Sequence, residues 1–247
     1  MKNKFKNKTA WITGGKRIGQ TIAEAFAKQK VNIIASYRSS SKEADEIVKK
    51  AKKLGAKAIS IKCDVSEKES VVEALKTIKK TFQKVDVLVN MASVFTPVKL
   101  ENISKKDWES NISAHIYGTF WPSQMISKIM PNGGHIINIA DRTSIGKSYN
   151  GYLPYMVTKF AITGMTKALA KELSPKGIFV NAIAPGPILR PEDINEKDWK
   201  KIRESSPLKY KITDDEAVGQ FAKLTLYLSE VTMASGYIYP LDQGQNL

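Results

Sequence analysis

A tyrosine and a lysine four residues apart, Tyr155 and Lys159, form the pair in this sequence that is best suited to acid–base chemistry. The apolar periodicity predicts that both lie near the start of one helix, and this spacing puts both side chains on the same helix face. A free tyrosine has a pKa of about 10 and is a poor acid near neutrality. A neighbouring ammonium favours the phenolate, so we expect Lys159 to lower the pKa of Tyr155. Tyr155 could then pass a proton to a substrate that receives a hydride.

A glycine-containing turn near the start of the chain predicts a phosphate site. Residues 13–19, Thr-Gly-Gly-Lys-Arg-Ile-Gly, follow a predicted strand and open a predicted helix. Glycine permits the tight turn, and the free N–H groups and positive dipole end of the helix can hold a pyrophosphate. The segment therefore predicts a dinucleotide site that contains Gly14, Arg17, Ile18 and Gly19.

The end of the second predicted strand favours one of the two nicotinamide dinucleotides. The strand ends without the carboxylate that would bind a ribose 2′-hydroxyl and continues into Tyr37, Arg38 and Ser39. Arg38 can pair with a 2′-phosphate through two hydrogen bonds, and Ser39 can add a hydroxyl. We expect NADP(H) rather than NAD(H) on this basis. The alternative is that Arg38 is an ordinary surface arginine.

The elements that position these residues alternate along the whole chain. Short β-branched apolar segments predict strands over residues 8–13, 31–36, 57–62, 85–90, 134–140, 178–183 and 236–241. Longer amphipathic segments predict helices over residues 17–29, 41–54, 67–82, 104–130, 151–173 and 213–228. The pattern is typical of an α/β, Rossmann-type doubly wound parallel sheet of about seven strands. Because no linker interrupts it, we expect a single domain over residues 1–247.

One segment departs from this alternation. Residues from about 186 to 212 contain several prolines, and we expect them to form an irregular insertion. Long loops in compact domains often cover binding sites. The sequence therefore predicts a substrate lid here, at the edge of the sheet where the strands' carboxyl ends lie.

Composition limits the classes of function. The 247 residues are 42% hydrophobic and 26% charged, which suits one folded α/β domain. A single cysteine, Cys63, excludes an intramolecular disulfide and a cysteine-based zinc cage, and it fits a cytoplasmic location. Two histidines are too few for a histidine metal cluster, so we expect no metal. We expect no membrane partner either, because no apolar run is long enough to cross a bilayer.

The charge of the chain is strongly positive and unevenly distributed. The net charge is +15, and residues 1–60 hold 15 basic and only 4 acidic side chains. A lysine-rich solvated surface explains most of this excess, and a pocket for a phosphorylated cofactor is the more specific interpretation. The sequence has no zinc finger, RNP-like aromatic segment or long basic run, so we do not expect a nucleic-acid partner.

Together these features resemble the short-chain dehydrogenase/reductase family over essentially the whole chain. The motifs that carry the resemblance, in the family's order, are Thr13-Gly14, Cys63-Asp64-Val65, Asn90-Met91-Ala92, the Tyr155/Lys159 pair and Pro185-Gly186. The resemblance implies a small-molecule substrate and a homotetramer. It implies a cofactor site with Asp64 and Val65 at the adenine, Asn90 and Ala92 along the cofactor, Lys159 at the nicotinamide ribose, and Pro185 and Gly186 at the nicotinamide. Tyr155 would also contact the cofactor.

The chain departs from the family's pattern in its turn and in one helix. The cofactor turn is one residue shorter than usual, and Arg17 stands where a glycine is usual. His115 aligns with the usual catalytic asparagine. Asn111, one helical turn earlier, is the alternative residue for that role.

The third departure bears on the reaction. Asp141 aligns with the usual catalytic serine. A serine hydroxyl donates a hydrogen bond to a carbonyl that becomes an oxyanion, whereas a carboxylate would repel that charge. Asp141 therefore suits a substrate that presents N–H donors or is protonated at nitrogen. If the alignment shifts by a few residues, Thr143 or Ser144 supplies the hydroxyl instead.

Several segments resemble those of pteridine reductases. They are the arginine-containing turn at residues 16–19, the segment at residues 90–95 and the approach to the tyrosine at residues 151–155. The resemblance implies that Phe95 stacks on a pterin ring. It implies a substrate site formed by Arg17, Ser93, Phe95, Asp141 and Tyr155.

The leading hypothesis is an NADPH-dependent reductase of a pterin-like C=N bond. Its catalytic residues are Tyr155 as proton donor, Lys159 as the group that tunes it, and Asp141, which orients or protonates the ring through water. One alternative is a 3-oxoacyl-acyl-carrier-protein or general carbonyl reductase, whose basic surface would meet an acidic carrier protein. Another is a non-catalytic NADP-binding regulator.

Overall fold

The computed structural model describes residues 4–14, 18–191 and 194–247. The predicted roles of Arg17 in cofactor and substrate binding fall outside the described residues.

Seven parallel strands form one sheet in the order β3-β2-β1-β4-β5-β6-β7. They are β1 (Thr9–Thr13), β2 (Asn32–Tyr37), β3 (Ala58–Lys62), β4 (Val87–Asn90), β5 (His135–Ile139), β6 (Phe179–Pro185) and β7 (Ile238–Leu241). The predicted Rossmann-type sheet is therefore confirmed. Because the strands are parallel, their carboxyl ends share one edge, and the strand order reverses between β1 and β4. A ligand crevice is expected at that point.

Eight helices accompany the strands over the described residues. They are α1 (Ile18–Lys28), α2 (Ser41–Lys53), α3 (Lys68–Phe82), α4 (Lys105–Asn111), α5 (Gly118–Ile126), α6 (Leu153–Leu173), α7 (Glu196–Glu204) and α8 (Asp214–Leu228). None of the helices within these ranges is both long enough and apolar enough to cross a membrane.

Two apolar clusters cover the two faces of the sheet. Along β1, Ala10 and Ile12 face a cluster that contains the buried side chains of α1, α2 and α8. Trp11, between them, faces a cluster with α3, α5 and α6. Strands buried on both faces are nearly continuous apolar runs, which explains why their positions could be predicted from the sequence.

The single helix predicted over residues 104–130 is wrong in detail. The chain instead forms α4, a π-helical segment at Ile112–Tyr117, and α5, which ends at Ile126. A capping box begins α4: Ser104 accepts a hydrogen bond from the Asp107 N–H, and the Asp107 carboxylate accepts one from the Ser104 N–H. Within the π segment lies His115, which packs toward α6, and π segments often occur at functional sites.

The predicted irregular insertion contains a helix, α7. Asn195 caps it by accepting a hydrogen bond from the Asp198 N–H at 2.9 Å. Asp214, at the start of α8, accepts hydrogen bonds from Trp199 Nε1 at 3.2 Å and from Arg203 Nη2 at 2.6 Å. The segment is thus attached to the body of the domain. Its role as a lid stays a prediction.

Candidate active site

A cleft of about 440 Å³ opens at the carboxyl ends of the first four strands. Residues that follow these strands and were predicted to bind the cofactor or substrate line it: Gly14 and Ile18, then Tyr37, Arg38 and Ser39, then Asp64 and Val65, then Ala92 and Ser93. The strand order reverses at this place, so the cleft lies where a doubly wound sheet binds its ligand.

Gly14 allows two loops to approach closely at the base of the cleft. Its φ is +71°, and a Cβ atom placed there would lie 3.2 Å from the Cα of Ala92. Gly19 is similarly close to the carbonyl oxygen of Gly14 and to the sulfur of Met91. A side chain at either position would strain or fill the turn. The residues present therefore fit a dinucleotide whose pyrophosphate approaches the backbone.

Arg38 and Ser39 are exposed at the rim of this cleft. Arg38 forms no ion pair with any residue of the described ranges, which leaves its guanidinium available for a ligand phosphate. Glu43 also lines the cleft, so the charge at this rim is mixed. Because the rim carries both signs of charge, a 2′-phosphate would be bound by Arg38 itself and not by a general excess of positive charge.

Other predicted cofactor residues lie on the same edge without lining the cleft. Asn90 is buried, and its amide donates hydrogen bonds to Asn138 Oδ1 and Ser123 Oγ, both at 2.9 Å. Its side chain thus joins β4 to β5 and α5. Pro185 ends β6, and a Cβ atom on Gly186 would lie 2.8 Å from the Cα of Asp242. Glycine therefore lets the ends of β6 and β7 approach each other closely.

Asp141 and Tyr155 are in direct contact. The Tyr155 hydroxyl donates a hydrogen bond to Asp141 Oδ2 at 2.8 Å. The other oxygen, Oδ1, accepts from the Thr143 N–H and the Thr143 hydroxyl, each at 2.8 Å. The hydroxyl of Ser144 donates to the main-chain oxygen of Asp141 at 2.6 Å. The structure therefore brings Asp141, and neither Thr143 nor Ser144, to the phenol.

Lys159 lies beside this pair in the interior. Its ammonium donates a hydrogen bond to the carbonyl oxygen of Ile139 at 2.8 Å and lies 5.6 Å from the centroid of the Tyr155 ring. Burial lowers the pKa of Lys159 to about 8, and the carboxylate of Asp141 opposes that shift. The spacing on α6 thus places both side chains on one face, as predicted.

The predicted direction of the Tyr155 pKa is wrong. Burial, followed by the charge of Asp141, raises the pKa of Tyr155 well above its ordinary value. The hydrogen bond to the carboxylate stabilises the neutral phenol further. The spacing along the helix indicates the ammonium alone, whereas the structure adds desolvation and a carboxylate, and both favour the protonated phenol.

His115 is fully buried between three elements. Its Nε2 accepts a hydrogen bond from the Val94 N–H at 3.3 Å and lies 2.8 Å from the Ser93 hydroxyl. Because Nε2 is an acceptor, Nδ1 carries the proton and donates to Thr158 Oγ1 at 2.7 Å. Burial and the charge of Lys159 lower the pKa of His115 to about 2, so the ring is neutral.

Asn111 is placed differently from His115. It is buried, and its amide donates a hydrogen bond to the carbonyl oxygen of Asp107 at 2.9 Å, within its own helix. Of the two alternatives for the usual asparagine position, the structure brings His115 to the site.

An aromatic cluster covers the Tyr155 ring. Phe95 stacks on Tyr152 with centroids 4.3 Å apart, and Tyr155 meets Phe95 edge to face at 4.8 Å. Tyr149 meets Tyr152 edge to face at 5.2 Å, and the guanidinium of Arg142 lies 5.5 Å above the Tyr149 ring. Sequence reasoning missed Tyr149 and Arg142. The available signals were a tyrosine at every third position before Tyr155 and an arginine directly after Asp141.

The arrangement can supply a proton next to a fixed negative charge. Tyr155 holds a proton that it does not lose at ordinary pH, and Asp141 is oriented by two hydrogen bonds from Thr143. Such a site stabilises a substrate that becomes positively charged and disfavours one that becomes negatively charged.

Comparisons with known proteins find a family model and relatives that cover most of the chain. A family model described as Enoyl-(Acyl carrier protein) reductase matches residues 14–246. Glucose 1-dehydrogenase 2 of Bacillus subtilis is 34% identical over 97% of this chain and 95% of its own. The 3-oxoacyl-acyl-carrier-protein reductase of Staphylococcus epidermidis is 34% identical over 73% of this chain and 75% of its own. An L-rhamnose 1-dehydrogenase (NADP(+)) of Thermoplasma acidophilum is 37% identical over 78% of this chain and 77% of its own.

Solved structures match over nearly the full length. A short-chain dehydrogenase from Burkholderia cenocepacia in complex with NADP superposes with a TM-score of 0.88 at 26% identity, over 98% of this chain and 99% of that one. A blue fluorescent protein from a metagenomic library in complex with NADPH superposes with a TM-score of 0.89 at 27% identity, with the same coverage.

Proposed function

Because this chain belongs to the short-chain dehydrogenase/reductase family of oxidoreductases, we propose that it is an NADPH-dependent reductase of a pteridine-type C=N bond. The family membership supplies the reaction class, and the residues around Tyr155 support the choice of bond. The relatives are named dehydrogenases and reductases, which gives no support to a non-catalytic regulator.

The cleft residues support the cofactor. Gly14, Asp64, Val65 and Ala92 would hold the adenosine and pyrophosphate, and Arg38 would pair with a 2′-phosphate. The bound nicotinamide supplies the hydride. One relative is named as NADP(+)-dependent and two similar structures contain NADP or NADPH, which favours the phosphorylated dinucleotide here.

One observation carries the proposal: the 2.8 Å hydrogen bond from the Tyr155 hydroxyl to Asp141. When a carbonyl accepts a hydride, negative charge develops on its oxygen, and the Asp141 carboxylate would repel it. A C=N bond accepts a hydride in its protonated form, and the Asp141 carboxylate favours that protonation, so it increases the fraction of substrate that can react. The ring N–H groups of a pterin can also donate hydrogen bonds to a carboxylate.

The chain's own groups account for the proton. Reduction adds a hydride to the carbon and a proton to the nitrogen, so that C=N becomes CH–NH. We assign the proton to Tyr155, whose hydroxyl stays protonated between turnovers. The transfer leaves a phenolate beside the Asp141 carboxylate, and solvent returns a proton to it before the next turnover. Asp141 holds the phenol in place and binds the nitrogen-bearing edge of the ring, directly or through water, and Lys159 supplies a compensating positive charge.

The aromatic cluster supports a flat substrate. Phe95 is 37% exposed, with Tyr152 stacked on one face of its ring and Tyr155 meeting the ring edge to face. A planar ring can stack on the other face with its polar edge toward Asp141. Ser93 lies two residues before Phe95 and is hydrogen-bonded to His115, and it would border the same ring.

A second candidate is a 3-oxoacyl-acyl-carrier-protein or general carbonyl reductase. The Staphylococcus epidermidis relative bears that name, and the family model is described by an acyl-carrier-protein substrate. Under this alternative the basic surface would bind an acidic carrier protein.

A comparison of NADPH oxidation separates the two candidates. We expect 7,8-dihydrobiopterin or 7,8-dihydrofolate to support turnover and an acetoacetyl thioester to support little. Tyr155→Phe should abolish most turnover while NADPH binding, followed by fluorescence, persists. Asp141→Ser should shift the activity ratio toward the thioester, because a hydroxyl donor replaces the carboxylate. Activity of the wild type on the thioester alone would overturn the proposal.

Two broader features stay predictions. Exposed apolar side chains on α6, Val157 and Phe160, and near β7, Met233 and Tyr237, support association into a homotetramer. Sedimentation measurements test it.

The cytoplasmic location is supported by the single unpaired cysteine.

A further inference from the structure

Arg142 is a cation at the edge of the active site that the proposed reaction does not use. It follows Asp141 directly, is half-buried, and lies with its guanidinium 5.5 Å above the Tyr149 ring. Its main-chain oxygen accepts a hydrogen bond from Asn246 Nδ2 at 2.9 Å, which holds the backbone here. In the described part of the chain, no carboxylate forms an ion pair with Arg142.

A chain of aromatic contacts links the guanidinium to the site. Tyr149, below it, packs against Tyr152, which in turn stacks on Phe95 and meets Tyr155 at 6.4 Å. The charge of Arg142 lowers the pKa of Tyr155, against the larger effects of burial and Asp141.

The other charges beside Tyr155 are less suited to an anion. Asp141 would repel one, and the ammonium of Lys159 already donates to Ile139. In the described ranges Arg142 has no ion-pair partner, so its guanidinium can meet a negatively charged substrate group on this side of the aromatic cluster. The guanidinium fork suits carboxylates and phosphates, and stacking on Tyr149 orients it.

We propose that Arg142 binds an anionic group, a carboxylate or a phosphate, on the part of the substrate that extends beyond the reacting ring. This inference rests on the proposed function for the position of the reacting bond. It assigns a substrate class, a reducible ring with a negatively charged tail, and it makes Arg142 a specificity-determining residue.

Substrate pairs that differ only in the charged group test the inference. The carboxylate arm compares 7,8-dihydrofolate with its dimethyl ester, and the phosphate arm compares 7,8-dihydroneopterin monophosphate with 7,8-dihydroneopterin. A carbonyl arm compares acetoacetate with methyl acetoacetate. For each compound we would measure kcat/KM with NADPH. Calorimetry would measure its Kd for the NADP-loaded protein.

We expect the wild type to prefer the anionic member of at least one pair by about tenfold or more, the magnitude of one charge-assisted hydrogen bond. Arg142→Gln should bring that ratio close to one, and Arg142→Lys should retain part of it. Lys147→Gln is the matched control, since Lys147 is an exposed cation of the same loop whose ammonium donates to the main-chain oxygen of Leu247. It should leave the ratio unchanged.

The possible failures are distinguishable. Turnover in the carbonyl arm alone would end the proposed function, while the acid-to-ester ratio there would still test Arg142. If no compound turns over, the calorimetric Kd values test it. A wild type without anion preference in turnover and binding, or an Arg142→Gln variant that keeps the wild-type ratio, would overturn the inference.

Discussion

Asp141 acts on two neighbouring titratable groups in the active site, and the pH dependence of the reaction should reveal both effects. It raises the pKa of Tyr155, which keeps the phenol protonated, and it partly offsets the burial that lowers the pKa of Lys159 to about 8. A reductase needs the protonated phenol, whereas the reverse oxidation needs the phenolate. Asp141 therefore keeps Tyr155 in the protonated state from which reduction begins, and it also makes transfer of that proton less favourable.

The first prediction concerns the alkaline side of the pH profile. If the Lys159 ammonium is required, kcat should fall as the pH rises through about 8. Asp141→Asn removes the charge that raises the pKa of Lys159, so the fall should move to lower pH. Steady-state rates across the pH range, with saturating NADPH, measure this shift. A profile that stays in place, or moves to higher pH, would contradict the assigned coupling.

The second prediction concerns the cofactor rim. Arg38→Ala should raise the KM for NADPH by about ten- to a hundredfold, because one charge-assisted pair to the 2′-phosphate is lost. The KM for NADH should hardly change. Lys49→Ala, an exposed lysine of α2 that does not line the cleft, is the matched control. Equal losses with both dinucleotides would mean that Arg38 does not read the phosphate.

At the scale of elements, His115 connects the π segment to α6 and to the loop after β4. Its neutral ring links Thr158 on one side and Ser93 and Val94 on the other. The loop that it holds continues into Phe95, the proposed face for the substrate. A buried ring that satisfies both sides in this way is suited to positioning.

The third prediction tests this connection. His115→Phe keeps a ring of similar size but leaves the Val94 N–H without its acceptor, so we expect a lower melting temperature and a raised KM for the substrate. His135→Phe is the matched control, since His135 is also buried but begins β5, at the opposite edge of the sheet. It should leave the KM unchanged. A substrate KM unaffected by His115→Phe would show that the loop is held by other contacts.

The fourth prediction concerns the attachment of α7. Asp214 accepts hydrogen bonds from Trp199 and Arg203, and the Arg203 guanidinium also lies 5.3 Å from the Trp199 ring. Asp214→Ala should loosen α7, which limited proteolysis near residues 190–210 would detect as faster cleavage. Asp215→Ala removes the adjacent carboxylate as a control. If α7 serves as the lid, Asp214→Ala should raise both the cleavage rate and the substrate KM, and Asp215→Ala should raise neither.

Local sequence patterns predicted the elements better than they predicted the interactions between them. The central strands could be placed because they are apolar runs buried on both faces, and Asp141 could be placed because only Ala140 separates it from β5. The π segment around His115 depends on packing against α6, and no apolar period encodes it. α7 was missed because several prolines suggested a loop, although Asn195 and Asp198 carry a capping pattern.

The direction in which the Tyr155 pKa shifts also could not be predicted from local sequence patterns. The sequence identifies Lys159 four positions away, and this neighbour alone favours the phenolate. Desolvation of the ring and the hydrogen bond to Asp141 depend on how α6 packs on the end of β5. Electrostatic balances of this kind require the positions of all nearby charges, which spacing along one helix does not provide.

At the scale of the whole molecule, two buried neutral histidines couple folding to pH. Burial lowers the pKa of His135 to about 4 and that of His115 to about 2, from an ordinary value of 6.5. Below pH 6.5 the unfolded chain therefore binds protons that the folded chain does not bind. The free energy of unfolding must fall as the pH decreases through this range.

The fifth prediction gives this coupling a magnitude. Each histidine should lower the free energy of unfolding by about 2 kcal/mol at about pH 5 relative to neutral pH. The pair should therefore lower it by about 4 kcal/mol, whereas the total free energy of unfolding of a typical protein is about 5–15 kcal/mol. Urea unfolding between about pH 5 and about pH 7 measures it, a window above the range in which most carboxylates titrate. His135→Phe should halve the pH dependence, because only His115 then resists protonation. A variant whose stability falls as steeply as that of the wild type would show that other groups govern the acid response.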